Sequence, residues 1–378
     1  QPLLTIQDPE KYGLEYQPEM QIFYATNRAF SVSDSNRQFE GIKKTYNAVI
    51  DIVLTETAMM ADIVLPDLTY LESWHLSPTR YTPTRKHTAI RQPVTNHYQL
   101  PHDGYSILWE LSKRLGLQDH YTEQINKQWK LKKFSLEKGR DYSAREAVGH
   151  LWREQTKGKS FDYALEHAFV GKKLDVKETY LKGVEAKFKG PGQPKMNFYA
   201  EQLLLSLDKI KAQAKQHRLR LDLDRYRLAL SPFPRKEHAF PRPHLEAKNY
   251  PFYLITYKRM YRNQSGNTAF NPILNALGSD TDENFVLINR ITANQKKIID
   301  GDEIMIESRV GQVQGKAKLT EGIRPDTVAI SYHYGQMSLA FPDYARKGIA
   351  VNTVLEHHPD LVSGMNSFND TKCKLYKV

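Results

Sequence analysis

Cysteine is almost absent from the chain. The single Cys373 excludes an internal disulfide and any zinc or iron–sulfur site built from cysteines of this chain. Long apolar runs are missing too: no segment reaches the roughly 18 apolar residues that a membrane helix needs. The opening residues QPLLTIQDPEKYG lack the basic and apolar parts of a signal peptide and an initiator methionine, so a processed chain or a piece of a longer one is expected. Internal repeats and low-complexity tracts are absent. Acidic side chains are the scarcer sign, 43 against 54 basic ones, which leaves a formal net charge of +11. Such an excess raises the question of a polyanionic partner. The basic residues are scattered, however, and the densest cluster, KQWKLKKF (127–134), lies in a polar, helix-like stretch that reads as a solvated face. No nucleic-acid partner is expected.

With 378 residues, 40% hydrophobic and 26% charged, the sequence has the composition of a folded protein of two or three domains. From Met20 the pattern predicts a strand (MQIFYA), a polar loop (TNRAFSVSD), a helix from Ser35 to Tyr46 capped by Ser33 or Asp34, the strand AVIDIVL (48–54), a TETA turn, and the strand DIVL. This β-α-β-α-β order predicts a parallel sheet of the nucleotide-binding kind, with Thr26–Arg28 and Thr55–Thr57 side by side at the carboxyl ends of its strands. Thr55 is positioned to cap a short helix through Met60. One reading makes Thr55 a plain cap and Glu56 a complement to the helix dipole; the other leaves free backbone N–H groups and two hydroxyls converging as an anion site.

Further along, DGYSILWELSKRLGL (103–117) predicts an amphipathic helix with Ile107, Leu108, Leu111 and Leu115 on one face and Gly116 as its stop. Ser143 to Glu146 form a capping box that starts a helix carrying Val148, Leu151 and Trp152. GPGQP (190–194) breaks structure, a helix follows from about Ala200, and the proline-rich 230–244 segment reads as a linker. The last third changes character. GDEIMIES, a turn at Arg309 to Gly311, and QVQGKAKL predict a hairpin with Ile304 and Ile306 facing Val313, Gly315, Ala317 and Leu319. Together with YPFYLITY and DTVAIS it predicts a small β-barrel.

Taken in order, ATNRAFSVSDSN, TETAMMADIVLP, RQPV, the helix ending RLGL, GPGQPKMNFYAE, TYKRMYRNQSGNT and IIDGDEIMIESRVGQVQGKAKLTEGIRP resemble the C-terminal half of molybdopterin oxidoreductases of the dimethyl sulfoxide reductase superfamily. The blocks SAREAVGHLWREQTKGKSFDYAL and VNTVLEHHPDLVSGMNSFNDTKCKLYKV look most like tetrathionate reductase catalytic subunits, with arsenate and polysulfide or thiosulfate reductases close behind.

The resemblance implies an α/β fold. Residues 1–117 would be part of a Rossmann-like, parallel-sheet domain that binds molybdopterin guanine dinucleotide. Residues 118–245 would be a mainly helical connecting region, and 246–378 a C-terminal double-psi-type β-barrel domain. It implies a bis-molybdopterin guanine dinucleotide cofactor carrying molybdenum or tungsten. Thr55, Glu56, Thr57, Thr26 and Asn27 would lie at its nucleotide end, Arg28 within reach of a phosphate, and Asn36 and Asp62 would complete the set. The family's Gly-x-Asn-Pro reads Ala25-Thr26-Asn27-Arg28 here. In the barrel, Gln264, Ser265, Asn267, Thr268, His333 and Asn352 would face the pterins. Without the family, the Gln264–Thr268 loop reads as a self-satisfying turn, His333 as a packed barrel histidine and Cys373 as a buried thiol.

The iron–sulfur cysteines and the metal ligand of the family normally precede the matched region, so no catalytic or metal-ligating residue is assigned to this chain. A 4Fe-4S cluster is expected only in an N-terminal part. Alone, the chain is expected not to turn over substrate. The implied partners are that N-terminal part, an iron–sulfur electron-transfer subunit, a membrane anchor subunit and a small oxyanion substrate, at the periplasmic or extracytoplasmic face of a membrane. Two other readings are a non-catalytic pterin-binding module and a basic interaction protein.

Overall fold

The computed structural model describes residues 6–10, 15–81, 84–175, 198–233, 249–262, 268–279 and 284–378. Along the chain the elements are β1 (Met20–Tyr24), α1 (Arg28–Ser31), α2 (Ser35–Ile42), β2 (Tyr46–Asp51), a 3-10 turn (Ala58–Met60), β3 (Ile63–Pro66), β4 (His75–Tyr81), β5 (Arg85–Arg91), α3 (Gly104–Arg114), α4 (Gln118–Trp129), α5 (Ala144–Gln155), α6 (Phe161–His167) and β6 (Phe169–Lys173). There follow α7 (Gln202–Gln216), α8 (Leu223–Ala229), β7 (Phe252–Tyr257), α9 (Pro272–Ser279), β8 (Val286–Asn289), α10 (Arg290–Gln295), β9 (Glu303–Glu307), β10 (Gln312–Thr320), β11 (Thr327–Ser331), α11 (Asp343–Arg346) and β12 (Thr371–Lys377). These residues pack as two compact units, one of Gln1–Val49, Val53–Val64 and Phe198–Val378, the other of Ile50–Ile52 and Leu65–Asn197.

In the first unit β1, β2 and β3 form a sheet in that order. Its β2–β3 pair is parallel: Asp62 N donates to Asn47 O and Asp67 N to Asp51 O, so the partners rise together. Phe23, Ala29, Ile42, Val49 and Ala58 fill the core between this sheet and its helices. Two sequence expectations shift here. The segment read as a polar loop contains α1, because burying Ala29 and Phe30 stabilises a helical turn that Ser31 N closes onto Asn27 O at 2.9 Å. Helix α2 ends at Ile42 rather than Tyr46, since the Asn47 side chain takes up the carbonyls of Ile42 (2.8 Å) and Thr45 (2.6 Å) while Tyr46 N joins Glu19 O as the strand begins. Strand β2 also starts earlier and stops at Asp51, whose carboxylate caps Ile52 N at 2.7 Å and leaves Ile52 and Leu54 exposed.

The same unit holds the closed six-stranded barrel, in the order β10-β8-β11-β7-β12-β9, of double-psi type. Pairs β7–β11 and β8–β10 are parallel and the other described pairs antiparallel. The expected hairpin is present: Ile306 faces Val313 and Ile304 faces Gly315, with both isoleucines fully buried beside Leu254, Val286, Val328, Ile330 and Leu375. The Ile349 side chain packs over Gly315, where a Cβ would lie 2.4 Å from Ile349 Cδ1 and displace it. Cys373 is buried in this core, and burial pushes its thiol up to about 12.

In the second unit β4, β5 and β6 form an antiparallel sheet against α5 and α6, with Trp152 fully buried beneath. The Ser143 capping box closes as expected, with Ser143 Oγ accepting from Glu146 N at 3.2 Å and Glu146 from Ser143 N at 2.9 Å. Helix α3 corrects the predicted face. Its buried line runs through Gly104, Trp109 and Ser112, whereas Leu115 is 61% exposed. The indole is the largest apolar surface on the helix, and a cage of Tyr105, Tyr121 and Tyr142 turns that side inward. The KQWKLKKF stretch is a solvated face in which Leu131 alone is buried. GPGQP lies outside the described residues, as does most of the proline-rich 230–244 segment.

Candidate functional site: a polar cavity at the carboxyl ends of two parallel barrel strands

Strands β7 and β11 run parallel with Ser331 opposite Tyr257, so the segments leaving their carboxyl ends, Lys258 onward and Tyr332 onward, emerge together. Crevices outside the carboxyl ends of parallel strands are where ligands of such sheets bind. A cavity of about 480 Å³ opens there, lined by Phe30, Ser31, Thr256, Tyr257, Lys258, Tyr332, His333, Tyr334, Val351, Asn352 and Phe368. Residues more than 300 positions apart in sequence therefore form one wall.

Three polar atoms of this lining are buried without a partner: the Tyr257 hydroxyl, His333 Nε2 and Asn352 Oδ1. Such orphans are rare, because leaving a buried donor or acceptor unpaired costs about 1–3 kcal/mol. Asn352 is held in place by its other end, Nδ2 donating to Phe30 O at 2.5 Å. His333 sits in the left-handed region at φ +72, a conformation that costs a non-glycine residue about 1 kcal/mol or more. Burial, and then the cations Lys258 and Arg262, lower the His333 imidazole to about 4, so it is neutral at physiological pH. Burial likewise raises the Tyr332 phenol to about 12. The wall thus offers a neutral ring nitrogen, an amide oxygen, a phenol and one exposed ammonium group, with aromatic faces from Phe30 and Phe368.

The two strand-end loops of the α/β sheet do lie side by side. Asn27 Oδ1 accepts from Thr57 N (3.2 Å) and Thr57 Oγ1 (3.0 Å), Asn27 Nδ2 donates to Glu56 at 2.6 Å, and Thr57 Oγ1 accepts from Ala29 N at 3.0 Å. These bonds make Thr55 a cap, as one of the two readings of the turn expected. Two of its amides are occupied: Thr57 N by Asn27, and Ala58 N by the capping Thr55 Oγ1 at 3.2 Å. Glu56, 3% exposed, also accepts from Met337 N (2.6 Å) and Ser338 N (3.2 Å), while Ser338 Oγ donates to Leu54 O (2.6 Å). Thr55, Glu56 and Thr57 therefore clasp the α/β segment to the barrel, and none of them lines the cavity.

Of the other expected residues, Thr26 and Arg28 are half-buried at the end of β1, and burial lowers the Arg28 guanidinium. Asn36 is exposed on α2. Asp62 is exposed, and its carboxylate accepts from Asn47 N at 2.7 Å, bracing β2. Thr268 is half-buried; Gln264, Ser265 and Asn267 lie outside the described residues. His333 and Asn352 are the two that the structure brings to one cavity. Tyr257, Lys258, Tyr332, Phe30 and Ser31 were not singled out in the sequence. The signal for three of them was positional, since Tyr257 ends β7 and Lys258 and Tyr332 directly follow the carboxyl ends of β7 and β11.

The cavity lies in a domain that known proteins share. Residues 252–372 match the family described as Molydopterin dinucleotide binding domain. The chain is 28% identical over 323 residues to the thiosulfate reductase molybdopterin-containing subunit of Salmonella typhimurium, covering 83% of this chain and 37% of that protein. It is 25% identical over 408 residues to the arsenate respiratory reductase molybdopterin-containing subunit of Chrysiogenes arsenatis, covering 94% of this chain and 45% of that protein. The chain thus spans less than half the length of these relatives. Among solved structures, acetylene hydratase from Pelobacter acetylenicus has the same fold across the whole chain, with a TM-score of 0.64 at 18% identity and 46% of that chain covered. Residues 252–372 are thus similar to the molydopterin dinucleotide binding domain family, within a chain whose similarity runs to molybdopterin-containing reductase subunits.

Proposed function

We propose that this chain is the cofactor-binding C-terminal portion of a respiratory molybdenum oxidoreductase catalytic subunit, and that the enzyme reduces a sulfur oxyanion such as tetrathionate. The observation that carries the reading is a pair of orphaned atoms, His333 Nε2 and Asn352 Oδ1, on one cavity of the matched domain. These residues fit a dinucleotide chemically. Asn352 Oδ1 is an acceptor for ring or amino N–H donors, Lys258 is a charge for a phosphate, and Phe30 and Phe368 are flat apolar surfaces for a heterocycle. A neutral His333 bonds through either tautomer without placing a second charge in the wall.

When bound, a bis-molybdopterin guanine dinucleotide supplies a metal centre competent for two-electron transfer, with molybdenum or tungsten. The residues of this chain hold and orient that group: Asn352 is pinned by Phe30, and the Glu56 clasp fixes the α1 turn that carries Phe30 and Ser31. Iron–sulfur clusters, the metal ligand and the substrate contacts belong, in this reading, to an N-terminal part of the subunit, with an iron–sulfur subunit and a membrane anchor as partners at the extracytoplasmic face. The net charge of +11 favours approach of anions.

The relatives named for thiosulfate and arsenate give the runner-up substrates, and they share this chemistry of small oxyanions. The experiment is to express the complete subunit with its partners. Dinucleotide released per protein is measured in the native protein and in His333→Ala and Asn352→Ala, and viologen-linked reduction is assayed with tetrathionate, thiosulfate, polysulfide and arsenate. Loss of dinucleotide in both variants supports the site. Full occupancy in both removes it, and a preference for arsenate or thiosulfate replaces tetrathionate.

A further inference from the structure

A second cavity, of about 570 Å³, lies in the same unit and shares only Tyr334 with the first. Its wall includes Arg262, Lys316 and Lys347, with Asn275, Asn284 and Tyr344, and no aspartate or glutamate is among its described lining residues. Arg262 is the unusual member. It is 5% exposed, yet every described group that touches its guanidinium is neutral: Nη2 donates to Asn275 Oδ1 and, at 3.4 Å, to Tyr344 O, and the Tyr334 ring lies 4.8 Å away. Nη1 has no hydrogen-bond partner.

The neutral partners are themselves fixed. Asn275 Nδ2 donates to Ala269 O (2.7 Å) and Asn271 O (2.8 Å), which turns its oxygen toward Arg262; Asn284 Nδ2 donates to Ser331 and its Oδ1 accepts from Ile349 N. A buried cation without a counter-ion is costly, and among the described residues nothing in the chain supplies one. Burial accordingly lowers the guanidinium from its ordinary value. Lys316 and Lys347, both exposed, add two mobile charges at the rim.

We propose that this cavity is an anion site for a small, multiply charged oxyanion, with Arg262 as the fixed buried charge and Lys316 and Lys347 closing on the ligand from solvent. Three positive charges around a cavity with no acid among its described lining residues select a compact dianion over a monocarboxylate, and a guanidinium with free N–H groups suits paired oxygens. The site is independent of the dinucleotide reading, because it uses neither His333 nor Asn352.

The test titrates the chain with sodium sulfate, against sodium chloride at matched ionic strength, by calorimetry and by melting temperature. Saturable sulfate binding is expected. Arg262→Gln weakens it by about tenfold or more, the loss of one charge-assisted contact. Because Arg262→Gln is a core change, the exposed double variant Lys316→Gln/Lys347→Gln is measured beside it and is expected to weaken sulfate by about tenfold while its melting temperature in chloride is unchanged. Lys258→Gln, at the other cavity, leaves sulfate binding unchanged. Absence of saturable binding, wild-type affinity in the double variant, or loss of binding in Lys258→Gln instead would each overturn the proposal.

Discussion

Asn27 Nδ2 donates to one oxygen of the Glu56 carboxylate at 2.6 Å, while the other oxygen holds the backbone N–H groups of Met337 and Ser338, 281 and 282 residues further along the chain. A single buried carboxylate thereby joins the two strand-end loops to each other and to the segment that follows the barrel cavity. Every donor in this cluster faces an acceptor, so the arrangement has a definite polarity.

That polarity predicts a coupled pair of substitutions. Glu56→Gln turns an amide toward the amide of Asn27, and Asn27→Asp sets a second carboxylate against the first, so each single change is expected to cost about 1–3 kcal/mol. The double variant Asn27→Asp/Glu56→Gln restores donor to acceptor throughout and recovers most of the loss. Urea unfolding of all four proteins gives the coupling, expected at roughly 1–3 kcal/mol. Strictly additive costs would show that the two side chains do not act together.

Acid sensitivity follows from His333. Its folded value of about 4 lies below the ordinary 6.5, first because it is buried and then because Lys258 and Arg262 oppose its charge. Between pH 6.5 and 4 the unfolded chain takes up this proton and the folded chain does not. The stabilisation is therefore full above about 6.5 and is lost as the pH falls through that window, by about 1–2 kcal/mol at pH 5. His333→Gln removes this contribution. The measurement is the drop in stability from pH 7 to pH 5, expected to be smaller in the variant by that amount; an identical drop would mean His333 is already charged or solvated.

Ala25, which follows β1, adopts φ +50. Left-handed backbone costs an alanine about 1–2 kcal/mol, and glycine returns part of that as unfolded-state entropy. Ala25→Gly is expected to stabilise the chain slightly, by up to about 1 kcal/mol, without altering the Asn27–Thr57 bonds. Thermal melting checks the sign, and a clear destabilisation would exclude strain at this position.

What the sequence disclosed was local. Alternation placed Ile304 and Ile306 in the barrel core, and the Ser143 box closed as its spacing required. The helix at 104–114 was misread because periodicity weighs leucines equally, whereas the bulk of Trp109 and its three tyrosine neighbours set which face is buried. Parallel-sheet logic juxtaposed Thr26–Arg28 with Thr55–Thr57, yet it did not reveal that Glu56 points at Met337, since no local pattern encodes a contact spanning 281 residues. The cavity was legible only in part. His333 and Asn352 came from the family resemblance, while Lys258 and Tyr257 required the parallel register of β7 with β11.

The wall of that cavity also depends on Gly335, two residues past His333. Gly335 has φ +69, and a Cβ there would lie 2.3 Å from Ala350 N, 2.7 Å from Ile349 C and 2.9 Å from Gly348 O. All three neighbours are backbone, so none can rotate away. Gly335 N donates to Lys347 O at 2.9 Å, which ties the crowded strip together just before Val351 and Asn352. Gly335→Ala is therefore expected to cost several kcal/mol, about 1 from the backbone conformation and the rest from displacing that strip. Gly116 provides the contrast, having φ +68 and nothing within 4 Å of a Cβ, so Gly116→Ala is expected to cost only about 1 kcal/mol. Melting temperatures of the two variants, with dinucleotide content measured in the complete protein, separate the effects. Gly335→Ala should lose both stability and dinucleotide, and Gly116→Ala a little stability alone; equal losses in the two would show that the strip behind His333 yields freely and does not shape the site.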